Sequence, residues 1–195
     1  MNRLKKQIDF ILEIDKLKSI VRKSPLIDGS RFENSAEHSW HLAMMVLVLS
    51  EHANDTINPL RVLKMLLVHD IVEIDAGDTF IHDDNKAKDK QHREEQAANR
   101  IFKLLPRDQE RELRILWLEY ENRNTTDAKF AYALDRLMPL LHSFHSNGKI
   151  WQEYNIVKDQ VIDKNEAIDD ASTKLWEYAH NIIDQAVKNK YLAEF

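Results

Sequence analysis

The segment LLVHDIVEIDAGD, residues 66–78, sets His69 beside Asp70 at the end of an apolar run and follows them with Glu73, Asp75 and Asp78. Two more polar residues fall on core-facing edges of helical stripes: His38, four residues before Leu42, and Asp135, within ALDRLMPLL. Burying one imidazole is tolerable once it is hydrogen-bonded, but burying several carboxylates together is strongly unfavourable without a compensating cation. A divalent metal resolves the conflict. Two neutral imidazoles and two carboxylates from His38, His69, Asp70 and Asp135 give a neutral ligand set around a 2+ ion, and octahedral positions remain for water and a substrate oxygen. That is the chemistry of a hydrolytic site.

Helices must position these residues. Apolar spacing over residues 3–20 puts Leu4, Ile8, Ile11 and Ile14 on one stripe, and RKSPLIDGSRFENS then reads as a loop. Ser35 is the expected N-cap of a helix reaching about Ala53, with Leu42, Met45 and Leu49 inward. Asn58 and Pro59 open the next, over Leu60 to about Ile74, with Gly77 beyond its end. There Val62, Leu66, His69 and Glu73 share a stripe, and Leu63, Leu67 and Asp70 form its neighbour. TFIHDDNKAKDKQ reads as a surface loop, followed by helices from about Arg93 to Leu105 and Pro106 to Tyr120. Thr126 or Asp127 caps a helix with Phe130, Leu134, Leu137, Leu141 and Phe144 inward and Asp135 on its flank. After Gly148 the pattern is irregular until a last helix from about Ser172 to Lys190.

With three Gly, four Pro and 43% hydrophobic residues, the 195-residue chain is expected to be an all-α, single-domain helical bundle over 1–195. A net charge of −5 with interspersed signs implies neither nucleic acid nor anionic lipid as a partner. Charges run through the apolar positions of the N-terminus, and no stretch has the length of a membrane span, so a cytoplasmic protein is expected. The absence of Cys excludes disulfides and thiolate chemistry, which leaves His and carboxylates to hold any metal.

Three blocks, ENSAEHSWHLAMM (33–45), LLVHDIVEIDAGD (66–78) and ALDRLMPLL (133–141), together resemble the 5'-deoxynucleotidase-like branch of the HD-domain metal-dependent phosphohydrolase superfamily. The resemblance implies an HD-domain bundle that removes phosphate from a phosphomonoester, most directly a (deoxy)nucleoside 5'-monophosphate. It makes His38, His69, Asp70 and Asp135 the ligands of one divalent ion. Glu73 and Asp78 match the family's catalytic acids beside the metal, and Arg22, with Lys23 next to it, falls where the family contacts the 5'-phosphate. The family's Trp after that Arg is absent: the chain reads Arg22-Lys23-Ser24-Pro25. Imidazole ligands favour Mn²⁺, Co²⁺, Fe²⁺, Ni²⁺ or Zn²⁺ over Mg²⁺, and Mn²⁺ or Co²⁺ is the expectation for activity in vitro. A homodimer is also implied, with Trp151, Trp176, Tyr178 and Tyr191 as candidates for its interface.

Alternatives stand beside this reading. His82 and His92 would allow a dinuclear site, as in HD phosphodiesterases and oxygenases, and the same residues could serve a non-catalytic nucleotide-binding module. Arg22 could simply neutralise the end of the first helix, and His41, His142 and His145 could be packing residues.

Overall fold

The computed structural model describes residues 2–83 and 88–195; positions 84–87 of the expected surface loop lie outside the described residues. Among the described residues the fold is all-α apart from one small hairpin.

Helix α1 (Arg3–Ile14) is capped by the Asn2 side chain and runs into a 3₁₀ turn over Asp15–Ser19. The stripe chosen from the sequence faces outward: Leu4, Ile8 and Ile11 are exposed, and Phe10 is the residue α1 buries, with Ile14 partly buried beside it. Two apolar stripes compete on this helix, and contact with Val68 and Ile71 decides between them.

The expected loop at RKSPLIDGSRFENS contains strands β1 (Val21–Pro25) and β2 (Phe32–Asn34), paired antiparallel. Alternation turns Arg22 and Glu33 inward, and in the register set by Val21 and Asn34 they fall opposite one another. Asn34, not Ser35, caps α2 (Ser35–Leu49), in a reciprocal capping box with Glu37. The Ser35 hydroxyl is thereby free for another partner.

Asn58 caps α3 (Pro59–Val68) as expected. The helix then tightens into a 3₁₀ turn over His69–Val72 before one turn of α4 (Glu73–Ala76), which ends at Gly77 with φ of 74°. Changing from 3.6 to 3.0 residues per turn swings Asp70 inward from the line of Leu67, which is exposed. Helices α5 (Lys90–Ile101), α6 (Arg107–Asn122) and α7 (Thr126–His145) follow, with Thr125 capping α7 and Pro139 inside it. The segment after Gly148 is not irregular: α8 (Lys149–Glu153), α9 (Lys158–Asn165) and α10 (Ala167–Ala171) precede α11 (Thr173–Lys188).

Leu42 of α2, Met65 and Leu66 of α3, and Phe130 and Leu134 of α7 are fully buried in the larger of two apolar clusters. The smaller joins α1, the His69–Val72 turn and α5. The C-terminal aromatics mostly complete the larger cluster, since Trp151 is buried and Trp176 and Tyr191 pack against it; of the four, only Tyr178 is exposed. No helix among the described residues is long and apolar enough to cross a membrane.

Candidate metal centre

His38, His69 and Asp135 arrive from α2, the 3₁₀ turn and α7, all buried, with one ligand atom of each within 4.8 Å of the others. His38 Nε2 lies 2.8 Å from Asp135 Oδ1, and His69 Nε2 lies 3.8 Å from the same oxygen. His69 Nδ1 pairs with the Leu66 carbonyl oxygen at 2.8 Å, which fits a donating Nδ1–H and leaves the Nε2 lone pair facing the cluster. That buried Nε2 has no hydrogen-bond partner, which is the condition of a ligand atom awaiting a cation. Asp70 stands at the edge of the group: Oδ1 is 3.0 Å from His69 Nε2, and Oδ2 is 3.9 Å from His38 Nε2. Two imidazoles and two carboxylates in this arrangement suit a divalent transition ion.

Asp135 divides its oxygens. Oδ1 faces the histidines, whereas Oδ2 accepts hydrogen bonds from Tyr120 Oη at 2.9 Å and from Arg136. Burial opposes ionisation of Asp135, but Arg136 and the imidazoles overcome it and hold the group well below the usual carboxylate range. Asp70 follows the same logic, with burial outweighed by His69 and Arg22. For His69, burial favours the neutral ring, yet the Asp70 and Asp135 charges raise its pKa to about 10 without a metal. A 2+ ion would replace that proton.

Arg22 lies within the site, 92% buried, with Nη1 2.9 Å from Asp70 Oδ2, 3.4 Å from Asp78 and 3.9 Å from Glu73. It borders a cleft that Lys23, Asp78, Phe80, Arg136 and Trp151 also line. Lys23 is exposed and sits over the Tyr154 ring, 5.8 Å from its centroid. Glu73 Oε2 accepts a 2.6 Å hydrogen bond from the Ser35 hydroxyl. Burial, and then the Asp70 charge, raise Glu73 well above the carboxylate range, although Arg22 pulls the other way. Asp78 is raised as well, by burial first and against Arg22.

Neither extra histidine joins the described ligand group. His92 is exposed and bonds Gln96 at 2.9 Å, and the His82 ring packs 5.3 Å from Phe80. His142 is buried with its ring 5.9 Å from that of His41, while His145 packs on Phe144. The sequence reading missed Tyr120 and Arg136 behind Asp135, Ser35 behind Glu73, and Glu33 between Arg22 and His38. Only Arg136 offered a sequence signal, as a cation adjoining a buried Asp.

A family model described as HD domain matches residues 14–176. The human protein named 5'-deoxynucleotidase HDDC2 is 32% identical over 155 residues, which span 76% of this chain and 74% of its own. A Schizosaccharomyces pombe protein, 5'-deoxynucleotidase hdd1, is 29% identical over 148 residues, 73% of each chain. Among solved structures, a predicted metal-dependent phosphohydrolase from Magnetospirillum magnetotacticum MS-1 superposes with a TM-score of 0.94 at 51% identity, covering 98% of this chain and 96% of that one.

Proposed function

The chain belongs to the HD domain family, and from that premise we propose that it is a metal-dependent phosphohydrolase acting on a (deoxy)nucleoside 5'-monophosphate. One observation carries the reading: the buried His69 Nε2, which has no hydrogen-bond partner, converges with His38 Nε2 and Asp135 Oδ1, themselves bonded at 2.8 Å, beside a buried guanidinium at a cleft. Histidine and carboxylate beside arginine is a metal site next to a phosphate site. The names of the relatives, 5'-deoxynucleotidase and metal-dependent phosphohydrolase, agree with that chemistry.

In this proposal His38, His69, Asp70 and Asp135 hold one divalent ion, with Mn²⁺ or Co²⁺ the first choices. When bound, such an ion supplies Lewis acidity to a water and to a phosphoryl oxygen. Glu73, aimed by Ser35, takes the proton of the attacking water, and its raised proton affinity suits that task. As the new oxygen–phosphorus bond forms and the ester bond breaks, Asp78 delivers a proton to the leaving alkoxide. Arg22 balances the charge on the phosphate oxygens, for which a planar guanidinium is suited. Lys23 reaches the outer edge of the substrate. Phe80, its ring tilted against Tyr154 with centroids 4.9 Å apart, offers the base an aromatic face in place of the absent Trp.

A single HD domain over the whole chain, a cytoplasmic location and a homodimer belong to the same proposal. Exposed Trp40, Met44, Leu47 and Val48 form an apolar strip on α2 of the kind that subunit contacts cover. The decisive experiment strips the metal, reloads Mn²⁺ or Co²⁺ separately, and measures phosphate release from ribo- and deoxyribonucleoside 5'-monophosphates and sugar phosphates, with Asp70→Ala as control. Turnover of deoxynucleotides by the loaded protein alone supports the proposal; no phosphate release from any monophosphate sinks it.

A further inference from the structure

Glu33 has no role in the chemistry above and does not line the cleft, yet it is 99% buried at the centre of β2. Its Oε1 lies 3.2 Å from Arg22 Nε and 3.4 Å from His38 Nδ1, and its Oε2 lies 3.9 Å from His142 Nδ1. None of these contacts meets hydrogen-bond geometry. Arg22 Nε, His38 Nδ1, His142 Nδ1 and Glu33 Oε1 are accordingly all buried without a hydrogen-bond partner.

An unsatisfied buried polar atom costs about 1–3 kcal/mol, so three gathered around a carboxylate whose own Oε1 is unsatisfied call for an explanation. They are mutually complementary, since Arg22 Nε carries a hydrogen, each imidazole can carry one on Nδ1, and a carboxylate only accepts. The Arg22 and His38 nitrogens already lie within 3.4 Å of Oε1, so what both contacts lack is alignment rather than reach. His38 Nε2 donates a 2.8 Å hydrogen bond to Asp135 Oδ1, since a carboxylate only accepts; with a hydrogen on Nδ1 held by Glu33, Nε2 would be the nitrogen that exchanges its hydrogen for an ion. Anchoring Arg22 through Nε leaves Nη1 to face Asp70 and the cleft.

We propose that Glu33 is a positioning residue that fixes the tautomer and ring plane of His38 while anchoring the Arg22 guanidinium, so that one carboxylate orients both the metal ligand and the phosphate contact. The proposal rests on the metal-site reading above. The hairpin explains how the chain achieves this: it pairs Val21 with Asn34, the adjoining buried Arg22 and Glu33 meet at 3.2 Å, and the Asn34 cap starts α2 so that His38 follows one turn later. Gln at position 33 keeps an acceptor for His38 but removes the charge facing Arg22, whereas Ala removes both.

The test uses full-length protein and Co²⁺ as the probe. Affinity and the visible ligand-field spectrum report on His38, KM for a nucleoside 5'-monophosphate reports on Arg22, and ¹⁵N-histidine NMR reports the tautomer. Glu33→Ala is expected to weaken Co²⁺ binding about 10–100-fold and to alter its spectrum. Glu33→Gln is expected to keep most of that affinity while raising KM about tenfold, the loss of a hydrogen bond to a charged group. A merely structural glutamate would lower the melting temperature but leave the affinity, spectrum and KM of the folded protein unchanged, and that result overturns the proposal. Should Glu33→Ala not fold, an unchanged KM in Glu33→Gln would overturn it alone. Failure of the wild type itself to bind Co²⁺ would overturn the metal-site reading, and this inference with it.

Discussion

Nη1 of Arg22 lies 2.9 Å from one oxygen of Asp70, while the other oxygen of that carboxylate lies 3.0 Å from His69 Nε2. Asp70 is thus shared between a cation built into the chain and the histidine–carboxylate cluster. Four carboxylates, those of Glu33, Asp70, Glu73 and Asp78, face this one guanidinium.

Removing Arg22 should therefore harm the metal-free protein most. Leaving buried carboxylates unpaired costs about 3–5 kcal/mol. Arg22→Met is expected to lose stability on that scale in urea titrations with chelator present. It should also gain more in melting temperature from added Mn²⁺ than the wild type does, because the ion supplies the missing positive charge. Equal gains in the two proteins would show that Arg22 does not compensate the cluster.

Glu73→Gln keeps the volume of the side chain and a partner for Ser35 but cannot take a proton from water. The expected result is a fall in kcat of about 10²–10⁴-fold with metal affinity little changed. A variant that keeps wild-type kcat would remove Glu73 from the chemistry.

Away from the candidate metal centre, buried Glu94 of α5 has its pKa raised from 4.5 to about 7, by burial first and against the opposing charge of Lys90. A raised folded-state pKa means that protonation favours the fold. The contribution is complete below the unfolded value and is lost as pH rises through about 7. The difference corresponds to roughly 3 kcal/mol. Glu94→Gln should therefore be more stable than the wild type at pH 8 and close to it at pH 4, as read from unfolding curves at both values. The opposite order at pH 8 would show Lys90 compensating the charge fully.

Phe80→Ala tests where the base rests. With Phe80 between Tyr154 and His82 at the cleft, the substitution is expected to raise KM for nucleoside monophosphates about tenfold, in the range of a lost base–aromatic stack. KM for a sugar phosphate should stay near the wild-type value. A uniform rise for both substrates would assign Phe80 to packing instead.

The helices that carry His38, His69 and Asp135 were legible because burial imposes a period, and a His or Asp on an apolar stripe violates it visibly. His38, His69 and Asp135 were found in this way, and the structure brings them together. The hairpin was not legible: β2 has only three residues, too few to display alternation, and the intervening Asp28, Gly29 and Ser30 read as turn throughout. Glu33 was hidden with it, since nothing local marks a carboxylate whose partners come from elsewhere in the fold. Short helices α8, α9 and α10 were missed for a related reason, each being too brief to establish a 3.6-residue period. The capping residue slipped by one because Asn34 and Ser35 are both good caps, and only the reciprocal bond with Glu37 selects Asn34.

Pro139 gives the two sides of the cluster different mechanical properties. A proline within a helix brings no N–H for the carbonyl four residues earlier and crowds it with its ring. In α7 that carbonyl belongs to Asp135. His38 stands on α2, a helix without proline, and is braced like a post, whereas Asp135 hangs from a ladder with a missing rung. Asp135 therefore leans on its side-chain bonds to Tyr120 and Arg136 where the backbone ladder gives it less support, whereas His38 draws on a continuous helix.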